Sequence, residues 1–169
     1  MRMLIIYFSK FGNTRRIAQA MAEPLEPVGE VRVLTIDQLA ASDFEGVDLA
    51  IVGSPTHGFN VPEVVRSALG ALPPGILVGK CVAAFDTTLR PWPLRLFRAS
   101  PKLLRQLAQL GGKPVAQPQT FFVQTHSTQG TGEHDLLLEG QIERARDWAN
   151  EILKQLKVQA EHATPKQRG

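Results

Sequence analysis

The sequence contains one cysteine, Cys81. A single thiol excludes a disulfide within the chain and a cysteine-built metal cluster, and the apolar run 81–85 around it suits a buried thiol in a reducing, cytoplasmic setting. Long hydrophobic runs are also missing, since nothing approaches the ~18 consecutive apolar residues of a membrane-spanning helix. The apolar stretch 4–8 is too short for a secretory leader and meets a turn without a small-residue cleavage site, so it reads as a strand. Acidic residues are absent from 87–132, a stretch that holds Arg90, Arg95, Arg98, Lys102, Arg105 and Lys113. The chain has 19 basic and 16 acidic residues in all, so this segment carries +6 and the remainder −3; the basicity is local. Neither the Gly-x-x-x-x-Gly-Lys-Ser/Thr phosphate loop nor the Gly-x-Gly-x-x-Gly dinucleotide fingerprint occurs, which argues against nucleoside triphosphate hydrolysis. No nucleic-acid motif accompanies the charge, and nucleic acid is not an expected partner.

What is present describes a globular domain. Apolar residues make up 43% and charged residues 21% of 169, enough to bury roughly 70% of the unfolded surface. The almost wholly apolar run 4–8 predicts a central parallel strand covered on both faces. A helix should follow, capped by Thr14, with Ile17, Ala18 and Met21 at helical spacing and Pro24 ending it after Glu23. Further strands are expected at 31–36, 48–53, 81–85 and 120–124. Pro62 marks the start of a helix carrying Val64, Val65, Ala68, Leu69 and Leu72, and the last helix should run over about 136–156. Strands alternating with helices argue for an α/β protein in three layers, a five-stranded parallel sheet with helices on both faces. Residues 1–157 form one domain on this reading, and the polar residues 158–169, with Pro165, a flexible tail.

In an open α/β sheet, ligands bind beyond the carboxyl ends of the strands. The loop after the first strand, Ser9-Lys10-Phe11-Gly12-Asn13-Thr14, offers hydroxyls at both ends, a glycine to turn the backbone and a helix behind it. Helix-start N–H groups lack an intrahelical acceptor and carry the positive dipole end, so the loop reads as an anion cradle. Residues of this kind are also ordinary turn and cap residues. The third loop, from Ser54, Pro55 and Thr56 through His57, Gly58 and Phe59 to Pro62, has no permanent charge and is suited to cover a planar ring. After the fourth strand, Phe85, Asp86, Thr87, Thr88 and Leu89 lead to Arg90 and Trp92, offering free backbone donors for the edge of a heterocycle.

These three loops, in order and strand context, resemble the flavodoxin family, and the resemblance spans about residues 3–157. It implies a flavodoxin-like FMN-binding domain in which Ser9, Gly12, Asn13 and Thr14, with Lys10 and Phe11 between them, hold the FMN phosphate. Thr56, His57, Gly58 and Phe59, entered through Ser54 and Pro55, would line one face of the ring. Asp86, Thr87 and Leu89, with Phe85 and Thr88 beside them, would line the other. The family's glycine at the place of Gly58 lets its peptide flip towards the flavin N5 on one-electron reduction. His57 is either a proton donor to flavin or substrate or a packing or solvent-facing residue; no other catalytic residue and no metal ligand is assigned. Trp92 either stacks on the ring or serves the core or a partner.

Flavodoxins that shuttle single electrons usually stack a tryptophan and a tyrosine on the ring and are strongly acidic. This chain offers His57, Phe59, Leu89 or Trp92 and is basic, so a milder second reduction potential is expected. The implied function is electron transfer through FMN to a protein or small-molecule acceptor. Its rivals are an NAD(P)H-dependent quinone or flavin reductase, whose relatives usually carry longer insertions, and a cofactor-free binding module. Arg95, Arg98, Lys102 and Arg105 would share a stripe if one helix ran through them, but Pro101 favours a helix starting near Ser100, with Leu103, Leu104, Leu107 and Leu110 inward. The segment, with Arg90, is a solvated face or meets an acidic partner, a nicotinamide phosphate or an anionic membrane surface. A receiver domain shares the topology, but Phe8-Ser9 stands where it needs acidic residues, and Gln124-Thr125-His126 where it needs a lysine.

Overall fold

The computed structural model of the chain describes residues 1–58, 60–89, 98–124 and 136–163. Strands β1 (Arg2–Tyr7), β2 (Glu30–Thr35), β3 (Leu49–Pro55), β4 (Cys81–Leu89), β5 (Lys113–Pro114) and β6 (Gln119–Val123) form one sheet. Its order is β2-β1-β3-β4-β5, with β6 also on β4, and every ladder between them is parallel. Helices α1 (Asn13–Leu25), α2 (Glu63–Gly70), α3 (Ala99–Gln109) and α4 (Gln141–Ala163) supply the outer layers. The chain passes from β1 outward to β2 and returns to β3 on the other side of β1, so the strand order reverses there and opens a crevice at the carboxyl edge.

The apolar strands divide their side chains by period two between two cores. Met3, Ile5, Ile51 and Phe85 face Ile17, Met21 and Leu25 of α1 and Trp148 and Ile152 of α4. Leu4, Ile6, Val52 and Ala84 face Val65 and Leu69 of α2 and Leu103 and Leu107 of α3. Phe85 meets Phe121 and Trp148 edge to face, with centroids 5.9 and 6.3 Å away, and its ring fills the space a side chain at Gly53 would need. Among the described residues no helix is long and apolar enough to cross a membrane.

The expected parallel sheet with helices on both faces is present, with several boundaries corrected. The fifth strand is two pieces. β5 pairs Lys113 and Pro114 with Cys81 and Val82, and β6 pairs from Gln119 with Phe85, so the register slips by two residues between them. Pro114 and Pro118 flank that break and have no N–H to donate to a ladder. Pro24 does not end α1. The helix continues through Leu25, which is fully buried with Met21, and packing against the core outweighs the lost hydrogen bond. Residues 136–138 are not helical: Gln124 donates to the Leu136 carbonyl (2.7 Å) and Leu138 to that of Phe122 (3.0 Å), and α4 begins after Gly140 at φ 77°. α4 then runs past Leu156 to Ala163. A hydrogen bond of 2.6 Å from Arg146 Nε to Glu23 ties it to α1.

Candidate functional site

A cavity of about 300 Å³ opens at the carboxyl edge of the sheet. Its walls are Ser9, Lys10, Phe11, Asn13 and Thr14 after β1, Pro55, Thr56, His57 and Gly58 after β3, Thr87, Thr88 and Leu89 at the end of β4, and Val123, Gln124 and Leu136 beyond β6. Three loops that the sequence places far apart therefore meet, as expected from the reversal of strand order.

The first loop ends on Gly12, whose φ of 85° is the left-handed turn that glycine makes at least cost, and α1 starts immediately after it. Among the described residues no side chain caps the first turn of α1. Thr14 is not the cap: it lies inside the helix, 2% exposed, and its Oγ1 stands 2.8 Å from Thr87 Oγ1. Asn13 Oδ1 accepts from the Leu136 N–H (3.0 Å) and so binds the segment returning from β6 to the loop. Ser9 Oγ is shut off from solvent and has no hydrogen-bond partner among the described residues. The Lys10 ammonium lies 5.3 Å from the centre of the Phe11 ring.

Asp86 does different work. Fully buried, its carboxylate accepts from the Ala99 N–H (2.9 Å), Ser100 Oγ (3.1 Å) and Thr56 Oγ1 (2.6 Å). It thus caps the start of α3 with a negative charge, where the helix dipole favours one. Strand β4 extends to Leu89, so the donors expected to be free at Asp86 and Thr87 lie in ladders with β3 on one side and β6 on the other. The β3 ladder ends at Pro55 and Thr87, leaving Thr88 and Leu89 paired only with β6. Leu89 is 41% exposed.

Of the expected site residues, Ser9, Lys10, Phe11, Asn13, Thr14, Pro55, Thr56, His57, Gly58, Thr87, Thr88 and Leu89 line the cavity. Gly12, Ser54, Phe85 and Asp86 do not. Gly12 is buried behind the loop, Ser54 Oγ donates to the Pro55 carbonyl (2.9 Å), and Phe85 belongs to the core. Phe59, Arg90, Trp92 and Arg95 lie outside the described residues. His57 is exposed, and its backbone exchanges two 2.9 Å hydrogen bonds with Asn60 across a tight turn in which Gly58 has φ 52°. Val123, Gln124 and Leu136 are lining residues that the motifs missed. The end of the fifth strand pointed to the first two, because ligands sit at carboxyl edges; nothing local marks Leu136. Among the described lining residues Lys10 is the one formal charge and there is no carboxylate.

A doubly wound parallel sheet whose switch-point crevice joins a helix start to a mostly apolar slot has the shape and chemistry to accept a phosphorylated planar molecule. A family model described as Flavodoxin matches residues 5–148, and the chain belongs to the flavodoxin family. It is accordingly an FMN-binding, flavodoxin-like electron-transfer protein. Its fold is similar to that of oxidised flavodoxin 1 from Bacillus cereus, at TM-score 0.70 and 22% identity over 91% of this chain and 98% of that one. The flavodoxin of Streptococcus pneumonia TIGR4 is similar at TM-score 0.69 and 24% identity, over 91% and 99%. Rubredoxin oxygen:oxidoreductase from Desulfovibrio gigas matches 96% of this chain with 37% of its own, at TM-score 0.71 and 20% identity. No curated protein sequence matches the chain.

Proposed function

We propose that residues 9–14 grip the FMN phosphate, that His57, Gly58 and Leu89 flank the ring, and that the protein is an electron carrier. The observation that carries this is Ser9 Oγ, a buried hydroxyl that, among the described residues, has no partner and stands beside a first turn of α1 that no side chain caps. Such a hydroxyl is costly to leave unpaired, and a phosphate oxygen satisfies it together with first-turn N–H groups. Gly12 sets the turn; Thr14 acts through Thr87 and Asn13 through Leu136, each holding the loop in place. Phe11, Leu89, Val123 and Leu136 supply apolar surface that excludes water from the ring. Bound FMN supplies reversible uptake and release of electrons.

The cavity stands at the small end of ligand pockets, which span roughly 300–1,000 Å³, in keeping with a ring edge left at the surface for partners. Among the described lining residues there is no carboxylate, and His57 is the one side chain able to relay protons in a two-electron reduction. The same lack of carboxylates supports a second reduction potential less negative than that of acidic flavodoxins. The redox partner is acidic on this reading and meets Arg98, Lys102 and Arg105, and the free thiol of Cys81 accords with a cytoplasmic setting. The test is to load the purified chain with FMN and mix it with NADPH or NADH, with and without a flavodoxin reductase. Slow direct oxidation that the reductase speeds by more than tenfold supports the carrier; fast direct oxidation in the presence of a quinone refutes it.

A further inference from the structure

Beside the flavin cleft lies a second groove that the FMN reading does not use. Arg66 of α2, Lys102, Arg105, Gln106 and Gln109 of α3, and Asn60 of the preceding turn help enclose about 280 Å³. Three cations from two helices thus line one depression, with no carboxylate among its described lining residues. Glu63 of α2 pairs with Arg66 and accepts from Ser67 Oγ (2.9 Å), so Lys102 and Arg105 supply the net positive charge of the described lining. Gln106 Nε2 donates to the Arg66 carbonyl (3.2 Å), which joins the two helices across the groove. Lys102 Nζ donates to Asn60 Oδ1 (3.0 Å), and the Asn60 backbone is bonded both ways to His57. One turn therefore gives His57 and Gly58 to the cleft and Asn60 to the groove.

We infer that this groove is the docking surface for an acidic redox protein and receives one of its surface carboxylates. The inference rests on the electron-carrier reading and deepens it. Cations gathered from two helices raise the local positive potential and steer an acidic surface, and guanidinium forks bind carboxylates in two-point geometry. A patch sharing a turn with the cleft anchors a partner where electrons leave. Arg66 belongs to this patch although it lies outside the basic segment of the sequence.

The test reduces the FMN-loaded chain with dithionite, mixes it with two protein acceptors of opposite charge, an acidic rubredoxin and a basic cytochrome c, and titrates rubredoxin into the FMN-free chain to read docking alone. At low ionic strength Arg105→Glu should slow reduction of rubredoxin roughly tenfold and weaken its binding, and Arg66→Gln should do so about threefold, with both effects fading as salt rises. Lys113→Glu makes the same charge change as Arg105→Glu at the amino edge of the sheet and should stay within about twofold. Equal effects of Arg105→Glu and Lys113→Glu would overturn the inference, as would tighter binding of cytochrome c than of rubredoxin to the unaltered FMN-free chain at low ionic strength. So would Arg105→Glu slowing NADPH oxidation while rubredoxin binding is unchanged, which would give the groove to a nucleotide phosphate. Failure of the FMN reading looks different: no variant takes up flavin, while the titration of the FMN-free chain still reports on the groove.

Discussion

Thr14 Oγ1 and Thr87 Oγ1 lie 2.8 Å apart in a buried contact that bolts the first turn of α1 to the end of β4. The pair brings together segments 73 residues apart in sequence. Thr14→Val or Thr87→Val alone leaves the other hydroxyl buried and unpaired and should cost about 1–3 kcal/mol in urea unfolding. The double substitution removes both polar groups and should recover much of that loss. A double variant as unstable as the sum of the singles would contradict the contact.

Asp86 should matter to stability more than to FMN. Asp86→Ala strips the Ala99 N–H and the hydroxyls of Ser100 and Thr56 of their shared acceptor, and the melting curve should show a loss of about 2 kcal/mol. FMN affinity of the folded variant should stay within about threefold, or under ~1 kcal/mol, because the carboxylate does not line the cavity.

Two glycines should respond to alanine in opposite ways. At Gly58 no described atom lies within 4 Å of an added Cβ, so Gly58→Ala should meet chiefly the cost of φ 52°, about 1 kcal/mol. At Gly53 the added carbon enters the Phe85 ring, and overpacking should cost at least the upper part of the usual ~1–3 kcal/mol range. Comparison of their denaturation midpoints checks the ranking.

Acid should loosen the α1–α4 contact. Arg146 hydrogen-bonds Glu23 and holds its carboxyl below the ordinary value. A depressed carboxyl stabilises the fold above its unfolded value and loses that contribution as pH falls through the folded one. The melting temperature of Glu23→Gln should therefore lie slightly below that of the unaltered chain at pH 7, and the gap should close below about pH 4. Both groups are exposed to water, so the gap is small and shrinks in salt.

The parts of this fold visible in sequence are those governed by local rules. Runs such as 4–8 and 81–85 are apolar because parallel strands are covered on both faces, and the Ser9 to Thr14 loop shows its turn and helix start in consecutive residues. Distant partners hid the rest. Thr87 and Thr88 read as loop because nothing near them reveals β6 alongside, and Asp86 read as a flavin neighbour because its partners in α3 stand 13 and 14 residues later. Leu136 reaches the cleft only through the returning segment held by Asn13. Pro24 read as a stop because its helix survives by tertiary packing.

If the loop that begins at Ser9 binds phosphate, the chain must hold FMN more tightly than riboflavin, which lacks the phosphate. Fluorescence quenching should show FMN bound at least about 100-fold more tightly, the ~3 kcal/mol of a few charge-assisted hydrogen bonds, with Ser9→Ala narrowing that ratio and leaving riboflavin affinity unchanged. Equal affinity for the two flavins would mean that this loop does not bind the phosphate.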